Sequence, residues 1–182
     1  MAIMAVRSTE FQALVRGVPF VALPREEIDR LHGAIEVLAV GQDALGRDSE
    51  LLPLHSYIAI HHNYSWLTFR RRDDRRTLLL SAVLSTDGPA ALFLGEEVVV
   101  SVRREVEHRL ALNAACEVRL AGILQETGDP QSPPRVGLLS IARLASRPPG
   151  YEGERCGNVE LRQARSQFDS FSQVVIDHLE AL

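Results

Sequence analysis

The chain has 182 residues, 46% of them hydrophobic and 24% charged, which suits one domain with a sizeable core and excludes a multi-domain machine. Its 20 basic residues against 24 acidic ones leave a net charge of -4, which argues against nucleic-acid binding through bulk charge. No stretch reaches the roughly 18 to 20 uninterrupted apolar residues of a membrane span. The opening MAIMAVRSTEF lacks the basic segment and apolar run of a secretory leader, so a soluble cytoplasmic protein is expected.

All the basic residues are arginine, a bias of coding composition rather than of chemistry. Cys116 and Cys156 stand far apart with no CxxC or Cys/His spacing, and read as free buried thiols.

In chain order, residues 18–23 form a short apolar strand ended by Pro24. Residues 25–32 carry Glu26, Glu27 and Asp29 early, as a helix start favours. Residues 35–40 are a second apolar run, and GQDALGRDSELLP after them has the punctuation of a loop. The segment LHSYIAIHHNYSWLTF, rich in β-branched and aromatic residues, predicts one or two strands over 54–69. RRRDDRR then reads as a solvated hairpin turn before LLLSAVLS resumes the strand pattern.

Residues 96–112, EEVVVSVRREVEHRLAL, are the clearest helix. Val98, Val102, Val106 and Leu110 recur at the helical period and face a core, while the opposite flank carries Arg104, Glu105 and His108. Residues 116–124 and 136–144 predict strands joined by a proline-rich loop. Phe168, Phe171, Val175 and Leu179 predict a terminal helix over 165–182.

The histidines His55, His61 and His62 suggest a metal site with His108. Neighbours His61 and His62, however, point to opposite faces of a strand and cannot easily share one ion. Ser81, Ser85 and Ser140 lack a nucleophile elbow, and no phosphate-binding glycine loop or dinucleotide fingerprint occurs.

The helix resembles the signature of the Nudix superfamily, G-x5-E-x7-R-E-U-x-E-E-x-G-U with U aliphatic. Glu96, Arg104, Glu105, Val106 and Leu112 match it. The first glycine falls on Ala90, the adjacent glutamates on His108 and Arg109, and the second glycine on Ala111. The flanking LTFRRR, LLLSAVLSTDG, RLAGILQETGDPQSPPRVGLLSIARL and NVELRQARSQFDSFSQVVIDHL resemble the predicted phosphoesterase branch, so the likeness covers residues 15–182.

This resemblance implies an α/β (α+β) fold with a mixed sheet sandwiched between helices, in one domain with residues 1–50 as an N-terminal extension packed on it. In the family the box glutamates hold Mg²⁺ or Mn²⁺, hard cations that prefer oxygen ligands. Here an imidazole and a guanidinium replace two of them, and Arg109 stands one turn from Glu105 as a tethered cation where an ion would sit. The box is degenerate, and no metal is expected unless Glu105 holds one.

Three functions remain open. The first is an anion-binding protein with an impaired metal site, in which Arg104, Arg109, His108, Arg70, Arg71 and Arg72 meet a nucleotide or other phosphate-bearing ligand. The second is an active phosphoesterase with Mg²⁺ or Mn²⁺, using Glu105 and Glu96 as catalytic residues with help from Glu126, Glu152, Glu154 or Glu160 in loops. The third is a structural or partner-binding subunit, for which a homodimer is compatible.

Overall fold

The computed structural model describes residues 2–23, 36–45, 47–71, 75–86, 94–111, 116–125, 135–149, 151 and 153–182. The expected helix over 25–32, together with Arg72, Glu126, Glu152 and the box positions 90 and 112, lies outside them.

The chain opens with β1 (Ala2–Arg7) and α1 (Ser8–Val15), followed by β2 (Phe20–Ala22), β3 (Val37–Val40) and the short α2 (Gln42–Leu45). Then come β4 (Leu51–His62), β5 (Ser65–Leu67), β6 (Phe69–Arg70), β7 (Arg76–Thr77), β8 (Leu79–Val83) and β9 (Ser85–Thr86). The helix α3 (Leu94–Arg109) leads to β10 (Cys116–Gln125), β11 (Val136–Leu144), β12 (Arg155–Cys156), α4 (Asn158–Gln163) and α5 (Ser170–Asp177).

Strand β4 is the spine of a mixed sheet. One edge pairs in parallel with β11, from Leu54 against Val136 to His61 against Arg143. The other edge pairs antiparallel with β1, β8 and β5 in succession. Beyond β11 the sheet continues antiparallel through β10 to β2. Because both faces of β4 are covered, its residues read as a nearly continuous apolar run rather than an alternation.

The side-chain period of 2 then sorts those residues into two cores. Leu54, Ile58 and Ile60 join the cluster that receives Val98, Val102, Val106 and Leu110 of α3, the stripe the sequence predicts. Tyr57 and Ala59 join the opposite cluster with Leu161 of α4 and Val175 and Ile176 of α5.

Three expectations are corrected. The segment expected to be a loop before residue 54 contains α2 and the first three residues of β4, because Leu51–Pro53 find partners on β1. The 54–69 region yields three strands, with a turn at Asn63 and Tyr64 whose φ angles of 46° and 64° reverse the chain. The terminal helix is interrupted: Arg165–Gln167 form a 3-10 turn, Phe168 is extended, and Asp169 starts α5 by accepting from the Ser172 N–H at 3.0 Å.

Both cysteines are free and buried. Among the described residues no helix is long and apolar enough to cross a membrane.

Candidate functional site

A bilobed cleft opens where the β6–β7 hairpin, the end of α3 and the 148–154 loop converge. The first lobe, about 640 Å³, is lined by Arg70, Arg76, Arg109, Pro148, Tyr151 and Glu154 among others. The second, about 590 Å³, is lined by His55, Tyr57, Arg71, Arg135, Asp169 and Phe171 among others. Phe69, Arg70, Leu80 and Arg109 belong to both, so two arginines distant in sequence stand at the waist.

The hairpin places Arg70 by pairing it with Arg76 across β6 and β7. Like charges directly opposite in a sheet are unfavourable. Here the strain is relieved because Arg76 is neutralised by Glu154, whose Oε2 lies 2.7 Å from its Nη2. The Arg76 guanidinium also reaches the Cys156 Sγ at 3.2 Å and the Gln167 Oε1 at 3.3 Å, and lies 4.8 Å from the centre of the Phe168 ring.

The far wall is fixed by Tyr151. Its hydroxyl accepts from the Thr68 N–H at 2.9 Å and faces the carbonyls of Thr68 at 2.7 Å and Glu154 at 2.8 Å. Burial, ahead of weaker hydrogen-bond and charge effects, pushes the phenol up to about 12, so it stays protonated. Gly153 is required here because a Cβ would stand 2.4 Å from both the Thr68 carbonyl and the Tyr151 hydroxyl.

At the end of α3, Arg109 donates through Nε to the Glu105 carboxylate and through Nη2 to the Ser81 carbonyl of β8, the latter at 3.0 Å. The four-residue spacing that puts these two side chains on one flank leaves Arg104 and His108 on the next, where both are exposed and line neither lobe. Glu96 lies in the first turn of the same helix.

Of the remaining carboxylates, Glu154 is at the cleft, whereas Glu160 is not in a loop. It sits in the first turn of α4 and accepts from the Gly157 N–H at 2.8 Å, capping the helix.

The histidines divide as the strand period requires. His62 is buried, with Nδ1 3.1 Å from the Leu144 carbonyl and Nε2 3.1 Å from the Asn63 amide, so both ring nitrogens are engaged by the protein. His55 stacks on Tyr57 in the second lobe, and burial together with the Arg135 charge holds its pKa below the usual histidine value. His61 packs edge-on against Trp66 and is lowered by burial, Arg143 and His62. Among the described residues no three His, Cys, Asp or Glu side chains are grouped so as to hold a metal ion.

Of the residues singled out in the sequence, Arg70, Arg71, Arg109, His55 and Glu154 line the cleft, where Arg76, Arg135, Tyr151, Tyr57 and Phe171 join them. The RPPGYEGE segment offered one overlooked signal, an aromatic residue set between turn formers.

The sequence matches no protein-family profile, and no curated protein matches it. Solved structures do. Tm1382, a protein assigned provisionally to the Nudix hydrolases, superposes with a TM-score of 0.70 at 17% identity, over 98% of each chain. The chain has a Nudix-like fold. A Listeria monocytogenes protein with the same provisional assignment aligns at a TM-score of 0.48 and 9% identity, over 70% of this chain and 94% of its own. In this Nudix-like domain α3 carries the paired Glu105 and Arg109, of which Arg109 lines both lobes.

Proposed function

We propose that this Nudix-like protein binds a small phosphate-bearing anion, such as a nucleotide, in the bilobed cleft, with Arg70 and Arg109 as its principal contacts. One observation carries the reading: Arg70 of β6 and Arg109 of α3 both line each of the two lobes. Arginine forks recognise phosphate through paired, charge-assisted hydrogen bonds, and a partly enclosed cleft strengthens them. Arg71 and Arg135 also line the second lobe.

The divalent cation implied by the fold family does not fit the described donor set. Glu105 gives an oxygen to Arg109, and the positions one turn further along the helix are an exposed imidazole and that same guanidinium. Hard cations need several oxygen ligands, and a neighbouring guanidinium repels them. The binding reading accordingly assigns the charge-neutralising role to arginine, with no step through a metal.

A second reading, residual phosphoesterase activity with Mg²⁺ or Mn²⁺, is favoured by the likeness to Tm1382 along the whole chain. A thermal-shift screen of inorganic phosphate, pyrophosphate and nucleoside diphosphates, run in EDTA and then in Mg²⁺ or Mn²⁺ with product analysis, separates the two. Binding in EDTA without turnover is expected. Arg70→Gln or Arg109→Gln is expected to weaken a hit by roughly ten- to hundredfold, the usual effect of losing a charge-assisted bond. Binding or turnover that requires the metal supports the hydrolase instead, and a hit indifferent to both substitutions removes the cleft as the site.

A further inference from the structure

A guanidinium offers five N–H donors in a flat fork, and the edge formed by Nε and Nη2 is one of the two that can grip a phosphate or carboxylate with paired bonds. In Arg109 that edge is already engaged by the protein. Nε donates to Glu105, and Nη2 donates to the Ser81 carbonyl at 3.0 Å. The two partners differ in kind. Ser81 belongs to β8, where its register against Tyr57 of β4 fixes the carbonyl. Glu105 is a flexible side chain on the last turns of α3, 31% exposed, paired with a guanidinium that is 41% exposed.

We infer that Glu105 is a built-in competitor for the anion site. Its carboxylate occupies the donor that an incoming phosphate would take, and it leaves when a dianion arrives, while the Ser81 carbonyl keeps the fork aimed into the cleft. This rests on the reading that Arg70 and Arg109 bind a phosphate-bearing anion, and it adds the regulation of that site. An exposed pair one helical turn apart is weak enough for a doubly charged ligand to displace. A bound phosphate also gains from Arg70 across the waist, which Glu105 does not line. The consequence runs against a metal-ligand role: removing this carboxylate strengthens anion binding.

The test is calorimetric titration of inorganic pyrophosphate into the full chain in EDTA, for the wild type and for Glu105→Gln, Arg109→Gln, Arg70→Gln and the Glu105→Gln/Arg109→Gln pair. Glu105→Gln is expected to tighten binding about two- to fivefold, the range that exposed ion pairs span. The gain should shrink as salt rises and should vanish in the Arg109→Gln background. Glu105→Ala, checked for an unchanged thermal midpoint, guards against a residual bond from glutamine.

If Arg70→Gln and Arg109→Gln weaken pyrophosphate binding while both Glu105 variants leave it unchanged or weaker, the competitor is overturned and the anion site stands. If Mg²⁺ tightens wild-type binding and Glu105→Gln abolishes that gain, Glu105 is a cation ligand and the inference fails. If neither arginine matters, or pyrophosphate gives no binding to any form, the anion-site reading falls and takes the competitor with it.

Discussion

At the Arg76 corner of the cleft, a guanidinium 18% exposed is held by Glu154, reaches the Cys156 Sγ and Gln167, and packs over Phe168. At the Arg109 corner, a guanidinium more than twice as exposed has one carboxylate from its own helix and one carbonyl from β8. The partners of Arg76 come from two segments near the end of the chain, 154–156 and 167–168, so its charge serves to join β7, β12 and the approach to α5. Those of Arg109 leave it facing both lobes. Position in a cleft therefore says less about a cation's role than the number and rigidity of the groups already holding it.

The largest test of this contrast concerns the platform under Arg109. Val106 is fully buried among the α3 residues that enter the core, so Val106→Asp should cost about 4 kcal/mol by burying an unpaired charge. A thermal midpoint unchanged within error would mean that α3 is not anchored in the core and gives Arg109 no fixed platform.

The direct comparison is smaller. Arg76→Ala should cost about 2 kcal/mol, because it strips several charge-assisted contacts from a largely enclosed site. Arg109→Gln should cost about 0.5 kcal/mol or less, the usual worth of an exposed helical pair. Denaturant melts of the two variants measure both, and equal losses would erase the distinction between a strut and a receptor.

The smallest effect at neutral pH comes from Tyr151, which seals the wall between the corners. Its folded value of about 12 lies above the 10.0 of a free phenol. The stability it contributes is therefore complete below pH 10 and is lost as pH climbs from 10 towards about 12. Denaturant titrations of wild type and Tyr151→Phe across that range should show a steeper alkaline decline in the wild type. Parallel curves would mean the phenol is not buried against Thr68 and Glu154.

Much of the fold was legible where local pattern and tertiary demand agree. The stripe from Val98 to Leu110 is a period-3.6 signal, and its residues are buried as that signal requires. The N-terminal β1 was missed because AIMAV, apolar without alternation, becomes a strand through pairing with β3, β4 and β9, which no local window contains. Helix α1 did carry a signal, Phe11, Leu14 and Val15 at helical spacing. The break in the terminal helix was also readable from Asp169, an N-cap residue three positions before Ser172.

The site was half legible. Arg70 and Arg109 stood out as a charge run and as a departure from a box. Arg76 could not be told from its neighbours in that run, since Glu154, Cys156 and Phe168 lie far along the chain.

The pairing of β4 has a consequence for how the chain assembles. One edge of this strand is satisfied early, by β1, β5 and β8, all from the first half of the chain. The other edge waits for β11, whose parallel register from Val136 against Leu54 joins segments separated by nearly half the sequence. Long-range parallel pairing of this kind must pay its loop-closure entropy before any contact rewards it, so β4–β11 is expected to pair later than the local hairpins of the first half. During synthesis, an emerging N-terminal half carries an apolar strand with one row of backbone donors and acceptors unmatched, a template for intermolecular pairing until β11 arrives.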